Sequence, residues 1–154
     1  MTDSSPHLIA DRLAGASPRA AAMLTRGLCR ALLDRGYAPL TEFNLKSGRR
    51  ADVIAVDKAG QVLIAEIKSS VEDYRADRKW MDYLAWCDRF YFCVPAGFDT
   101  ALLPDSCGLI LADGYGAEFC REPQATPLAP SRRRALVLRF ARTSAGRLQR
   151  LVDP

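Results

Sequence analysis

Two apolar runs at residues 50–56 and 61–69 flank the tetrapeptide Asp57-Lys58-Ala59-Gly60. Aspartate first and glycine fourth is the chemistry of a type I turn, and a left-handed glycine there closes a three-residue hairpin loop. Such a loop sets a register. Asp57 faces Gln61, and stepping outward along both strands brings Asp52 opposite Glu66. Because side chains alternate along a strand, Asp52, Glu66 and Lys68 share one face. Opposed Cβ atoms lie roughly 4.5–5.5 Å apart, where like charges repel. The apolar neighbours Val53, Ile54, Leu63, Ile64 and Ile67 lower the local dielectric and sharpen that repulsion. A shared proton, an ion pair from Lys68 to both acids, or a divalent cation would each relieve it. Two carboxylates with open water positions suit Mg²⁺. A structural salt-bridge cluster made with Arg50 and Lys68 is the alternative.

The remaining elements follow from local signals. Ser17 before Pro18 is a helix start, a hydroxyl cap ahead of a residue that needs no amide donor. Leu24, Leu28, Ala31 and Leu32 recur at helical spacing until Gly36 stops the helix. Arg19, Arg26 and Arg30 share another face, read as solvated. A first strand is expected at residues 40–46. After the hairpin, Trp80, Tyr83, Leu84 and Cys87 carry a helical stripe that predicts one helix over residues 72–87. A buried strand at 89–94, a helical turn at 99–103, and a hairpin of 109–112 with 117–121 complete the middle. Gly114 and Gly116 lie in the turn of that hairpin, and with no helix following them they do not make a phosphate loop. Residues 123–130 read as a proline-rich linker into a basic helix at 131–151. The expected fold is α/β with mixed (α+β) character: a central mixed sheet flanked by helices, ordered α-β-β-β-α-β with a C-terminal hairpin and helix. A chain of 154 residues fits a single domain, 1–154, with a flexible N-terminus at 1–16.

Composition excludes more than it assigns. The chain is 49% hydrophobic and 26% charged, with a net charge of +4 that permits an anionic partner without demanding one. Its five cysteines (29, 87, 93, 107 and 120) form no C-x-x-C pair, and the single histidine, His7, sits near a polar terminus. That argues against a zinc site and for buried, reduced thiols. No run approaches the roughly 18 apolar residues of a membrane span, and the N-terminus has no signal-peptide pattern. A cytoplasmic protein with no membrane partner is expected.

Asp52 followed by Glu66-Ile67-Lys68 resembles the PD-(D/E)XK nuclease signature, with Ala51 where the signature has proline. The runs Arg49-Arg-Ala-Asp-Val53, Glu66-Ile-Lys-Ser-Ser70 and Asp77-Arg-Lys-Trp80 are similar to the MmcB-like DNA-repair family. So are Tyr83, Asp88-Arg-Phe90, Val94-Pro95, Gly108-Leu-Ile and Tyr115-Gly-Ala-Glu118. The resemblance spans residues 17–148 and implies a restriction endonuclease-like core and a bacterial DNA-repair endonuclease. It implies Asp52 and Glu66 as ligands of Mg²⁺ or Mn²⁺, helped by the Ile67 carbonyl, with Glu42 at the metal edge. Lys68 would orient or deprotonate the attacking water. The second helix lacks the glutamine of the Gln-x-x-x-Tyr element that some relatives carry. Trp80 and Tyr83 are read as core. The candidate DNA contacts are Arg49, Arg50, Lys79, Arg132, Arg133 and Arg134, a solvated basic face being the alternative for the last three. The expected partner is damaged, gapped or branched DNA, and self-association into a homodimer stays open. Three functions are weighed: a metal-dependent DNA endonuclease, a catalytically inactive nuclease-fold protein that binds DNA or acts as an adaptor, and a protein-interaction domain whose charged strand face is purely structural.

Overall fold

The computed structural model describes residues 18–154. His7, Ser17 and the N-terminal segment expected at 1–16 therefore lie outside the described residues. Helix α1 (Pro18–Asp34) opens on its proline, and Gly36 ends it in the left-handed region at φ 84°. Strands β1 (Ala38–Asn44), β2 (Arg50–Val56) and β3 (Val62–Ile67) follow as an antiparallel meander. Strand β1 is displaced by two residues from the expected 40–46, because Leu45 onward turns back in a hairpin loop closed by the Leu45 N–H on the Arg49 carbonyl.

The turn between β2 and β3 has the expected geometry. Gly60 sits at φ 79°, the Asp57 N–H donates to the Gln61 carbonyl, and Asp57 Oδ1 accepts from the Ala59 and Gln61 amides. The strands pair Val56 with Val62, Ile54 with Ile64 and Val53 with Ala65, the register predicted from the loop.

The helix expected over 72–87 is two elements. Helix α2 (Val71–Ala76) is short and ends at Asp77, whose backbone is extended (φ −98°, ψ 109°). A 3₁₀ helix (Trp80–Trp86) follows. Asp77 leaves the helix to bind Lys68 and to accept the Lys79 N–H, which holds the break open. Three-residue periodicity then puts Trp80, Tyr83 and Trp86 on one side, and Leu84, expected in the stripe, is exposed at 43%. Trp80 and Tyr83 stack on Phe90 as core residues.

Strand β4 (Arg89–Pro95) lies parallel to β3, and β5 (Gly108–Ala112) parallel to β4; a single 3₁₀ turn (Thr100–Leu102) interrupts the connection. Strand β6 (Ala117–Arg121) returns antiparallel. The result is one mixed sheet of six strands in sequential order. The turn at 113–116 is capped by Asp113 Oδ1, and α1 packs so close that a Cβ on Gly27 would sit 1.8 Å from the Asp113 carbonyl. Helix α3 (Pro130–Val152) ends the chain.

Each sheet face has its own core. Leu24, Leu28 and Leu32 of α1 cover Val53, Leu63, Tyr91 and Ile110. On the other face, Tyr83, Leu128 and Leu136 cover Phe43, Ile54, Ile64, Phe90 and Phe92. Of the five thiols, Cys87, Cys93 and Cys107 are buried, Cys29 is half-buried, and Cys120 is exposed on outer strand β6; all are free.

Residues 123–130 are strapped down rather than loose, and Asp88 is the reason. One Asp88 oxygen accepts the Val62 N–H (2.7 Å) and the other the Leu128 N–H (2.9 Å), while its own carbonyl accepts the Thr126 N–H. Arg133 completes the set with two bonds of 2.6 Å to the carboxylate and one to the Gly60 carbonyl. Burial alone would raise the Asp88 pKa, yet Arg133 and the two amides hold it below the usual carboxylate range. Removing one partner of a buried ion pair strands the other in low dielectric. Arg133→Ala should therefore cost about 3–5 kcal/mol in denaturant unfolding. Arg134→Ala, one position along at an exposed site, should cost less than about 0.5 kcal/mol.

Candidate active site

The β2–β3 ladder stops at Val53–Ala65, and beyond it carboxylates replace the rungs. The Asp52 N–H donates to Glu66 Oε1 (3.1 Å), and the Ile67 N–H donates to Asp52 Oδ2 (2.8 Å). Each acid is thus held by the backbone of the opposite strand, so the two side chains meet on the same side of the hairpin. Glu66 is 5% exposed. Burial, with the neighbouring Asp52 charge adding to it, pushes the Glu66 carboxyl up to about 9. Burial raises Asp52 as well, against the Ile67 amide that favours its charged form. Of the three reliefs open to such a pair, a retained proton is the one its own electrostatics favour without a cation.

Lys68 takes a different partner from the one anticipated. Its ammonium, also 5% exposed, donates to Asp77 Oδ2 at 2.8 Å rather than to Asp52 or Glu66. Burial works against the charge, but the Asp77 bond and the charges of Asp77, Asp73 and Glu66 together outweigh it and the pKa is raised. Lys68 is held as an ammonium, a donor and not a base. Asp77 is lowered in turn by the Lys68 bond, against burial.

Asp52, Glu66, Ile67 and Lys68 open into one cleft of about 650 Å³ between the strand ends and the start of α1. Glu42 and Asp73 line it too. Glu42 is the non-glycine residue with positive φ (48°) among those described, and it interrupts β1 between the Thr41–Val53 and Phe43–Ala51 pairs. The Arg147 guanidinium donates to the Thr41 and Glu42 carbonyls and steadies this kink. Asp73 was not singled out from the sequence, although Ser70-x-x-Asp73 is a capping-box spacing. The Ser70 hydroxyl accepts the Asp73 N–H, and the Asp73 carboxylate reaches back to the Ser69 N–H. Ser69 Oγ is the buried side-chain polar atom without a hydrogen-bond partner among the described residues, and Ser69 also lines the cleft.

A divalent cation fits this donor set in part. Asp52 and Glu66 supply two hard oxygens whose proton a cation would displace, and the cleft leaves room for water or phosphate oxygens. Among the described residues no three His, Cys, Asp or Glu side chains converge on one point. Glu42 therefore lines the cleft without closing a third carboxylate around the pair.

The sequence model of the MmcB-like family, described as DNA repair protein MmcB-like, matches residues 10–154. The chain belongs to this family. No curated protein matches it. It is similar to a solved structure of a protein of unknown function from Silicibacter pomeroyi, at 41% identity and a TM-score of 0.83, over 90% of this chain and 94% of that one. Several runs that carry the family resemblance sit at the contacts just described. Asp77 is the Lys68 partner, Trp80 stacks on Phe90, and Asp88 anchors the strap.

The other sequence candidates scatter. Arg49 pairs with Asp82 (3.0 Å), and the Arg50 side chain is exposed while its carbonyl accepts the Tyr83 hydroxyl. The anticipated Arg50–Lys68 cluster is thus not formed. Lys79 lines a neighbouring depression with Asp73 and Asp77, not the cleft. Arg132 lies over Trp86 and Arg133 is committed to Asp88, so the three arginines opening α3 do not act as one block. Among the described residues no helix is long and apolar enough to cross a membrane.

The retained proton has a signed consequence. Glu66 titrates near 9 folded and near 4.5 unfolded, so the folded state holds the extra proton between those values. Metal-free stability should then be highest at the acid end of that window and fall as pH rises, with a slope of at most about 1.4 kcal/mol per pH unit from this group. Denaturant unfolding in EDTA from pH 6 to pH 9 checks this, and Glu66→Gln should flatten the decline. A slope unchanged in the Gln variant would assign the decline to another group.

Proposed function

We propose that this DNA repair family member is a metal-dependent DNA phosphodiesterase of the PD-(D/E)XK type. The observation that carries the proposal is the interlocked Asp52–Glu66 pair at the floor of an open cleft, with a buried ammonium two positions along β3. A structural salt bridge would have given each carboxylate a cation; here the cation is held by Asp77 and the acids face one another.

Asp52 and Glu66 would hold Mg²⁺ or Mn²⁺, with the Ile67 carbonyl completing the protein side of the site. The bound ion supplies Lewis-acid polarisation of a phosphodiester and activation of water. Asp52 is oriented for ligation by the Ile67 N–H, which fixes its Oδ2. Glu66 is fixed likewise through Oε1 by the Asp52 amide. Lys68, as an ammonium, offsets the charge that builds on the phosphate and orients water by donating to it; it does not remove the proton. The kinked Glu42 adds negative charge on the cleft rim, which favours a cation over a bare phosphate there.

A second reading rests on the Lys68–Asp77 bond: a member of this fold whose lysine is permanently sequestered and whose role is DNA binding. Purified protein incubated with nicked, gapped and branched DNA and Mn²⁺ separates the two. Cleavage is expected, and Asp52→Asn or Lys68→Ala should lower it by about 100-fold or more. DNA binding without turnover in any divalent metal would favour the second reading; cleavage that persists in both variants would mean contamination.

A further inference from the structure

Helix α3 carries seven arginines and no aspartate or glutamate. Two of the seven are explained by the fold: Arg133 binds Asp88, and Arg147 binds the Thr41 and Glu42 carbonyls. Arg134 is exposed on another side of the helix, which leaves Arg132, whose guanidinium also donates to the Ala85 carbonyl, with Arg139, Arg142 and Arg150. They lie within about 80° of one another around the helix and so form one strip, about 27 Å long at 1.5 Å per residue. The small residues Ala135, Thr143 and Gly146 lie between them on the same strip, and the Arg150 guanidinium lies over Gly146. Among the described residues none of these four makes an ion pair with a carboxylate.

The strip is a trough. Its first part, about 280 Å³, is lined by Lys46, Trp86, Arg132 and Arg139, and Arg132 stacks 4.4 Å above the Trp86 ring. Its second part, about 430 Å³, is lined by Leu138, Arg139, Arg142 and Thr143, and shares Ala135 and Arg139 with the first. Like charges three residues apart, as Arg139 and Arg142 are, repel along a helix, and Arg132 in the first turn opposes the helix dipole. Four cations, Lys46, Arg132, Arg139 and Arg142, over two joined grooves with no acid among the lining residues suit a polyanion rather than a mixed-charge protein face. The exposed apolar residues Leu148, Leu151 and Val152 fall on other sides of α3, while Leu138, 60% exposed, lines the trough itself.

We propose that this strip of α3, with Lys46 and Trp86, is a track for the phosphate backbone of nucleic acid. The track leads toward the carboxylate cleft. Arg147, one turn before Arg150, grips the carbonyls of Thr41 and Glu42, which line that cleft. The choice of nucleic acid rests on the DNA-repair reading above, but the track does not require hydrolysis.

The test is DNA binding by fluorescence anisotropy in EDTA, where the hydrolytic centre is silent, titrated with NaCl. Arg139→Gln/Arg142→Gln should weaken binding to an oligonucleotide longer than the strip by about tenfold or more and lower the salt slope by about 2. Arg139→Lys/Arg142→Lys should recover the slope. Arg26→Gln/Arg30→Gln, the same charge change on the outer face of α1, should leave the slope nearly intact. Wild-type affinity and slope in the Arg139/Arg142 glutamine variant would overturn the proposal, as would an equal loss in the α1 variant. So would binding of polyglutamate or phosphatidylserine vesicles, but not DNA, with the same Arg139/Arg142 dependence. Failure of DNA cleavage with binding intact would count against the hydrolytic reading alone.

Discussion

Where β2 and β3 run out of backbone partners, Asp52 and Glu66 continue the ladder with their side chains, each accepting an amide of the opposite strand. That exchange depends on a loop of three residues several positions away. A slip of one residue in the 57–60 turn would put Glu66 and Asp52 on opposite faces of the sheet. The capping of the turn by Asp57, and Gly60 in the left-handed region, are therefore as much a part of the site as its acids.

The cost of the arrangement is visible around it. Three charged residues, Glu66, Lys68 and Asp88, are buried in an otherwise apolar sheet. Asp88 is fully bonded by Arg133 and two amides and ties the strap and α3 to the start of β3. Lys68 is bonded once, to Asp77, at the point where α2 breaks. Glu66 and Asp52 remain opposed. The neutral, well-satisfied charge network lies at one end of β3 and the frustrated one at the other, next to the cleft, the strained Glu42 and the orphaned Ser69 hydroxyl. Frustration gathered at an open cleft is what a ligand site requires; gathered in a core it would only destabilise.

Much of this was legible in the sequence because it is local. The turn chemistry at 57–60 set the register that brings Asp52 to Glu66, Pro18 and Gly36 bounded α1, and the hairpin at 108–121 followed from its glycines. What the sequence hid is long-range. Nothing in the 72–87 stripe marks Asp77 as a breaker, since the break is held by Lys68, nine residues earlier. Arg133 looked like its neighbours Arg132 and Arg134, and only Asp88, 45 residues away, singles it out. Arg147 serves carbonyls more than 100 residues back along the chain. Asp73 was the exception: its capping-box spacing with Ser70 was local, readable, and passed over.

We propose Asp52 and Glu66 as a cation site and not a buried acid pair. A crystal soaked in Mn²⁺ and measured at the manganese absorption edge addresses it directly. An anomalous peak is expected between the Asp52 and Glu66 carboxylates, within about 2.0–2.3 Å of an oxygen of each, the range for Mg²⁺-like hard-oxygen sites. A crystal that takes up Mn²⁺ elsewhere, with the two carboxylates still bonded only to the facing amides, would contradict it.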